Sequence, residues 1–178
     1  MAKNFKELIA KADRGDLSAQ LELALAYFEG EVNGETQLSE GCKYLDMAAS
    51  GGNPKVQCVC AGVYKAAGFH SIAFGWYKKS AEKGHAESQA MLANYYFTGE
   101  AGKKDDLEAL RWAEKAYNGG EYKESCMILG VLYLQGKVVK ADGIKAYKMF
   151  KKAMQNGNEL AEDMVKKMEM QFPQLRKL

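Results

Sequence analysis

The chain has 178 residues, enough to bury one core of ordinary size, so we expect a single domain. Lys and Arg number 25 and Asp and Glu 23, with both signs spread along the sequence, which argues against nucleic acid and membrane surfaces as partners. There are only 2 prolines to break helices, and 18 glycines recur where helices can end, so the composition indicates many helices joined by tight turns.

The distribution of apolar residues and cysteines bears on where the protein resides. Residues 1–8 lack the apolar run of a secretory signal, and no stretch approaches the roughly 20 apolar residues of a membrane span. The four cysteines, Cys42, Cys58, Cys60 and Cys126, are irregularly spaced in apolar surroundings, which is typical of reduced thiols. We therefore expect a cytoplasmic protein.

A period of about 36 residues runs along the chain after an initial segment, 4–14, that is predicted to form a capping helix. Glycines separated by 37, 32, 36 and 37 residues mark successive units: Gly15, Gly52, Gly84, Gly120 and Gly157. The predicted repeats cover about 15–51, 52–83, 84–119 and 120–156, and a second capping helix is predicted at 157–171.

The first half of each unit has a large residue beside a small one, a tyrosine four positions after the large one, and then a glycine. These offsets place the large residue and the tyrosine on one helical face that ends in a turn. The pairs are Leu23-Ala24, Cys60-Ala61, Leu92-Ala93 and Leu129-Gly130, the tyrosines are Tyr27, Tyr64, Tyr96 and Tyr133, and the glycines are Gly30, Gly68, Gly99 and Gly136. We expect these tyrosines in the core, so Tyr96→Ala is predicted to cost about 3–5 kcal/mol.

The second half of each unit alternates small and large residues at helical spacing. Small residues allow neighbouring helix backbones to approach, and a large side chain one turn away fills the remaining space. The successive positions hold Gly41, Ala73, Ala109 and Ala146, then Tyr44, Trp76, Trp112 and Met149, then Ala48, Ser80, Ala116 and Ala153. The two tryptophans are therefore interpreted as core residues and not as stacking platforms for ligands.

Each predicted helix has only about 10 to 14 residues, which is marginal for an isolated helix in water. Stability must then come from stacking the helix pairs, which buries their apolar stripes in one continuous core. The sequence therefore predicts an all-α fold, a right-handed α/α superhelical solenoid of tandem helix-turn-helix repeats with terminal capping helices.

The third unit carries the residues most useful for identifying a family: Gly84, His85, Ala86, Glu87, Ser88, Gln89, Leu92, Ala93, Tyr96, Gly99, Asp106, Ala109, Trp112, Lys115 and Ala116. This string resembles the unit of the Sel-one-like repeat (SLR) family, which is related to the tetratricopeptide repeats. The resemblance covers about 12–157, and the fourth unit diverges most. Because family members are known mainly as adaptors, the resemblance implies a protein-binding scaffold without enzymatic activity or cofactor.

In tetratricopeptide arrays the concave wall is formed by first-helix residues that do not face the core. Carried over to this chain, the resemblance predicts a partner-binding surface of Leu21, Leu25, Phe28, Cys58, Gly62, Lys65, Ala90, Asn94, Phe97, Met127, Val131 and Leu134. This surface is largely apolar, so we interpret it as a groove for an extended or helical peptide, with Asn94 and Lys65 fixing its backbone or charge. Two alternatives remain: these side chains pack between adjacent first helices, or the surface forms a homodimer.

The cysteines and histidines suggest three further hypotheses, each of which the sequence disfavours. Cysteine-rich SLR relatives associated with β-lactam hydrolysis pair one cysteine from each helix of a repeat, and no unit here shows that pairing. A metal site of Cys58, Cys60 and His70 is disfavoured because residues two apart on a helix point to different sides. His85 and Glu87 resemble a zinc-deaminase fragment, but the Pro-Cys-x-x-Cys that should follow is missing. We therefore predict no catalytic residues and no metal site.

Overall fold

The computed structural model describes residues 4–120 and 122–178, which form ten α-helices, a terminal 3₁₀ helix and no strand. The helices are α1 (Phe5–Asp13), α2 (Leu17–Phe28), α3 (Leu38–Ser50), α4 (Pro54–Ala66), α5 (His70–Glu82), α6 (Ala86–Thr98), α7 (Asp106–Gly120), α8 (Lys123–Gln135), α9 (Gly143–Gln155) and α10 (Glu159–Gln171), and the 3₁₀ helix is Pro173–Lys177. This architecture confirms the predicted all-α solenoid. No helix in the described part of the chain is long and apolar enough to cross a membrane.

The helices pack in consecutive pairs. α2 packs on α3, α4 on α5, α6 on α7 and α8 on α9, and successive pairs touch through α3–α4, α5–α6 and α7–α8. α1 covers the first pair through α2, and α10 covers the last pair through α9. Each element thus contacts mainly its neighbours in sequence, as expected of a solenoid.

One hydrogen bond closes every pair in the same way. The backbone N–H of the residue before each second helix donates to the carbonyl of the repeat tyrosine, at 2.9–3.0 Å. The donor and acceptor residues are Gln37 and Tyr27, Phe69 and Tyr64, Asp105 and Tyr96, and Asp142 and Tyr133. Because the bond forms across turns of between four and nine residues, the pairing does not depend on turn length. The four tyrosines therefore occupy equivalent positions, as predicted.

The repeat tyrosines are not equally buried, however. Tyr96 and Tyr133 are only half-buried, so the prediction that Tyr96 is a fully buried core residue is wrong. Its neighbour Tyr95 is 2% exposed and packs on α5 of the preceding pair, with the rings of Phe74 and Tyr77 each centred 6.0 Å from its own. The residue before the repeat tyrosine is buried in the first and fourth units too, since Ala26 and Leu132 are 1% and 0% exposed.

The two tryptophans lie at the edge of the core and not within it, which corrects the prediction that they are core residues. Each packs one face on the core, while a lysine ammonium lies 4.0 Å from the ring centroid on the other: Lys79 over Trp76 and Lys115 over Trp112. The indole N–H of Trp76 also donates to Asp46 Oδ1 at 3.2 Å. A side chain with a polar edge gains from this half-exposed position because its N–H keeps a partner.

Close contacts between small and large residues hold the two helices of a pair together. In the fourth pair, a Cβ added to Gly130 of α8 would lie 2.6 Å from the Phe150 ring of α9, which is fully buried. In the first pair, a Cβ on Gly41 of α3 would lie 2.8 Å from the half-buried Phe28 ring of α2. Glycine is therefore required at these positions by space, as the small-and-large pattern predicts.

A buried glutamine joins each of the first three units to the helix before it. The side-chain Nε2 donates to a backbone carbonyl eight residues earlier, at the end of the preceding helix. The bonds run from Gln20 to Ala12 at 3.0 Å, from Gln57 to Ala49 at 3.2 Å and from Gln89 to Ala81 at 3.2 Å. Helix ends leave carbonyls without helical partners, and here the glutamine adds a second hydrogen bond to a carbonyl that also accepts a backbone N–H from the following turn.

The division of the chain into repeats at glycines stays a prediction. Gly15, Gly52 and Gly84 have left-handed backbone, with φ of 91°, 80° and 87°. Gly120 instead is the last residue of α7, so the fourth unit begins differently from the other three.

Candidate protein-interaction surface

The twelve residues predicted to bind a partner all lie on α2, α4, α6 and α8, the first helices of the four pairs. α6 and α8 contact each other directly, although α7 separates them in sequence. In a solenoid, the first helices of successive pairs form one wall. We call the predicted residues on these helices the first-helix surface.

The residues of the first-helix surface differ in how much area they expose. Leu25 and Leu134 are the most open, at 44% and 45%. The half-buried members are Leu21, Phe28, Gly62, Lys65, Asn94, Phe97, Met127 and Val131. Cys58 and Ala90 are 6% and 0% exposed, so the prediction that they contact a partner is wrong. Each is the fifth residue of its helix, α4 or α6, where packing leaves these small side chains no accessible area.

Two aromatic rings of this surface also stabilise the pair that carries them. Phe28 covers Gly41, as described above, and the Lys104 ammonium lies 4.8 Å from the centroid of the Phe97 ring. Each ring therefore offers a partner only part of its area. These contacts are with a second helix and a turn, so the alternative that the side chains pack between adjacent first helices stays a prediction.

The polar members lie near the middle of the surface. The Thr98 hydroxyl donates to the backbone carbonyl of Asn94 at 2.9 Å, and no side chain in the described part of the chain bonds to the Asn94 carboxamide. Lys65, in the last turn of α4, reaches across to α6, where its Nζ lies 4.0 Å from Met91 Sδ. The Asn94 carboxamide thus offers a hydrogen-bond donor and an acceptor, and Lys65 offers a positive charge, beside the apolar side chains of the surface.

Leu134 extends the surface into a cleft that the sequence analysis missed. The cleft has a volume of about 570 Å³, and its other apolar walls are Ile144, Met168, Phe172 and Leu175. Three of these residues belong to α10 and the segment after it, outside the repeats. The repeat pattern contains no signal for the cleft because it ends before α10.

A cluster of three chemically distinct side chains lies between the second and third pairs. The Sγ of Cys58, a ring nitrogen of His85 and a carboxylate oxygen of Glu87 lie within 4.8 Å of one another. Burial raises the pKa of the Cys58 thiol. The sequence analysis weighed Cys58 and the His85–Glu87 fragment separately and therefore missed their proximity.

The remaining cysteines and His70 do not join this cluster. Cys60 is fully buried in the core, where burial raises its pKa to about 11. His70 Nδ1 instead lies 3.3 Å from the Tyr95 hydroxyl and 3.9 Å from a Glu100 carboxylate oxygen. None of the four cysteines, all of which lie in the described part of the chain, forms a disulfide, so the disulfides of the cysteine-rich SLR relatives have no counterpart among them.

Two solved structures share this architecture. A protective antigen present in uropathogenic Escherichia coli strains, which displays an SLR fold, is 29% identical with a TM-score of 0.77; the match covers 95% of this chain and 37% of that one. A Sel1 repeat protein from Oxalobacter formigenes is 23% identical with a TM-score of 0.72, covering 92% of this chain and 68% of that one. The second likeness supports the fold alone.

A curated relative and a family model complete the comparison. Chitin synthase regulatory factor 3 of Schizosaccharomyces pombe is 34% identical over 84 residues, which are 46% of this chain and 9% of that protein. This chain thus spans a small part of the yeast relative and about a third of the E. coli antigen. The Sel1 repeat model matches residues 17–53, 70–85, 86–121 and 123–158, more than half of the chain. The chain therefore belongs to the Sel1 repeat family, whose members generally act as scaffolds for protein–protein interaction.

Proposed function

We propose that this chain is a scaffold that binds a peptide or partner protein on its first-helix surface. The observation that carries the proposal is the free Asn94 carboxamide among partly exposed apolar side chains. An amide beside apolar groups is suited to an extended peptide, because it pairs with the peptide backbone while the apolar groups bury alternate side chains. The yeast relative is named a regulatory factor, which is in keeping with action through another protein.

The two exposed leucines supply the apolar part of such an interaction. Leu25 and Leu134 lie near the C-terminal ends of α2 and α8, so they bracket Asn94 along the array. Burying a leucine side chain contributes about 1.5–3 kcal/mol, and interfaces concentrate their energy in a few such contacts. A ligand that reaches both ends of the surface would therefore depend on both leucines.

The test uses a triple variant, Leu25→Asp, Asn94→Ala and Leu134→Asp, whose targets are all at least partly exposed. Peptides that bind the unaltered chain are selected from a displayed random library, and their affinities are measured by fluorescence anisotropy. We expect the triple variant to weaken binding at least 100-fold, because two buried leucine contacts are lost. Unchanged circular dichroism shows that the variant is folded.

A matched control separates the surface from a general effect of added charge. Leu38 of α3 and Leu107 of α7 are 48% and 45% exposed, so Leu38→Asp with Leu107→Asp makes the same change on second helices. We expect this control to keep the affinity of the unaltered chain. If the triple variant binds as tightly as the control, the partner uses another surface and the proposal fails.

Self-association is a second candidate, favoured by the apolar side chains that α10 exposes. Leu160 and Met170 are 69% and 78% exposed, more than expected for a face that meets only water. If copies associate through α10, light scattering gives a dimer for the unaltered chain and a monomer for Leu160→Asp with Met170→Asp. A monomer for both excludes this candidate.

A further inference from the structure

The cluster of Cys58, His85 and Glu87 combines three ligand types that bind transition metals. Cys58 projects from α4, His85 is the N-cap residue of α6, and Glu87 lies in the first turn of α6. Their ligand atoms lie within 4.8 Å of one another. Cys58 is buried, His85 is half-buried and Glu87 is exposed, so the cluster is closed on one side and open to solvent on the other.

A chain of hydrogen bonds defines which ring nitrogen of His85 is free. The Ser80 hydroxyl lies 2.7 Å from the Pro54 carbonyl, which only accepts, so Ser80 donates its proton there. The Ser88 hydroxyl lies 2.7 Å from Ser80 and must then donate to it. His85 Nδ1 lies 3.0 Å from Ser88, whose own proton is already used, so Nδ1 carries a hydrogen and donates it.

This series of hydrogen bonds leaves a lone pair on His85 Nε2 when the ring is neutral. The arrangement is typical of metal sites, in which a ligating histidine donates its other ring N–H to a partner that fixes the orientation of the ring. The Ser88 backbone N–H also lies 3.4 Å from Nδ1, but it can donate there only if Nδ1 carries no hydrogen. This longer contact is weaker than the 3.0 Å bond from Nδ1 to the Ser88 hydroxyl, and the two bonds exclude each other. The buried serines Ser80 and Ser88 thus favour the tautomer in which Nε2, and not Nδ1, is free to bind a metal.

We propose that Cys58, His85 and Glu87 bind a zinc-class divalent cation, with water in the fourth position. Thiolate, imidazole and carboxylate are all zinc ligands, and three protein ligands with one open position are common for zinc. The Cys58 thiol loses its proton to solvent as the metal–sulfur bond forms, so each bound ion releases one proton. The site joins α4 to α6 and therefore the second helix pair to the third.

The distances require a small contraction on binding. Bond lengths of about 2.0 to 2.3 Å place tetrahedral ligand atoms roughly 3.3 to 3.6 Å apart, which is about 1.2 to 1.5 Å less than the 4.8 Å within which the three atoms now lie. The exposed Glu87 side chain is free to approach the other two ligands, and the approach of Cys58 to the His85 ring requires a small shift of α4 against α6.

The experiment uses the full chain without a histidine tag, stripped of metal, and titrates it with Co²⁺ and then with Zn²⁺. We expect one equivalent of Co²⁺ to give a thiolate-to-cobalt charge-transfer band and the strong visible absorption of four-coordinate cobalt, both abolished by one equivalent of Zn²⁺. Cys58→Ser removes the charge-transfer band, and His85→Asn lowers zinc affinity by more than about 100-fold, beyond the 10- to 100-fold typical of outer-shell losses. Asn is a good N-cap residue, so His85→Asn keeps α6 intact.

Matched controls use the half-buried Cys42 and the only other histidine of the chain, His70. Cys42→Ser and His70→Asn leave affinity and spectra unchanged, and Ser88→Ala, which removes the partner of Nδ1, weakens zinc binding by about 10- to 100-fold. Circular dichroism of each metal-free variant verifies folding. The proposal is overturned if cobalt gives no charge-transfer band, if Cys58→Ser retains it, or if Cys42→Ser abolishes binding.

Discussion

The same substitution at two equivalent buried glutamines should lower the free energy of unfolding at one position and leave it unchanged or raise it at the other. Gln57 and Gln89 each donate from Nε2 to a helix-end carbonyl at 3.2 Å. That carbonyl also accepts a backbone N–H from the following turn, so losing the glutamine removes a bond without leaving the carbonyl unpaired. Gln57 differs in one respect, because its Oε1 is buried without any hydrogen-bond partner in the described structure.

For Gln89→Leu we expect a loss of about 0.5–1.5 kcal/mol in the free energy of unfolding, the net value of one intramolecular hydrogen bond. Gln57→Leu loses the same bond but also removes a buried, unpaired acceptor that costs about 1–3 kcal/mol, so its net effect is between neutral and about 2 kcal/mol of stabilisation. Urea unfolding followed by circular dichroism and tryptophan fluorescence measures both, and coincident transitions establish two-state behaviour. An equal loss in both variants would refute the role assigned to the unpaired Oε1.

Three further predictions test the packing and the buried hydroxyls. Tyr95→Ala should cost about 3–5 kcal/mol and Tyr96→Ala clearly less, by urea unfolding, because only the first is fully buried. Gly130→Ala should destabilise by about 1–3 kcal/mol by the same assay despite the better helix propensity of alanine, since the buried Phe150 ring has no space to move. Burial and a hydrogen bond to the Glu169 carboxylate raise the pKa of Tyr147 to about 12. The stability that this shift contributes is therefore complete below pH 10 and is lost as the pH rises through about 12. Urea unfolding at a series of pH values should show a smaller loss of stability over this range for Tyr147→Phe than for the unaltered chain.

The fold was predictable because the repeat encodes it redundantly. The tyrosine, the glycine after it and the small-and-large pairs recur at fixed offsets, and each has a definite structural role. The pattern does not specify how deeply each aromatic is buried, because burial also depends on contacts with the neighbouring unit. Tyr95 packs on the preceding pair and is fully buried, whereas Tyr96 is half-buried and Trp76 and Trp112 lie at the edge of the core.

The candidate sites were less predictable because they depend on contacts between units. Cys58 belongs to one predicted repeat and His85 and Glu87 to the next, so no spacing within a unit brings them together. The burial of Cys58 and Ala90 likewise follows from packing that a single repeat does not describe. A periodic sequence specifies the unit well and the interface between units only indirectly.

The residues that hold the helix pairs together differ from those that form the first-helix surface, so the surface can be substituted without loss of the fold. The bond from the residue before each second helix to the tyrosine carbonyl, together with the glutamine bond in the first three units, uses backbone groups and buried side chains. Leu25, Asn94 and Leu134 take part in neither, so substitutions there change the surface alone. A loss of binding in that triple variant with unchanged unfolding free energy is therefore attributable to the first-helix surface, whereas a parallel loss of stability would mean that these residues also hold the pairs together.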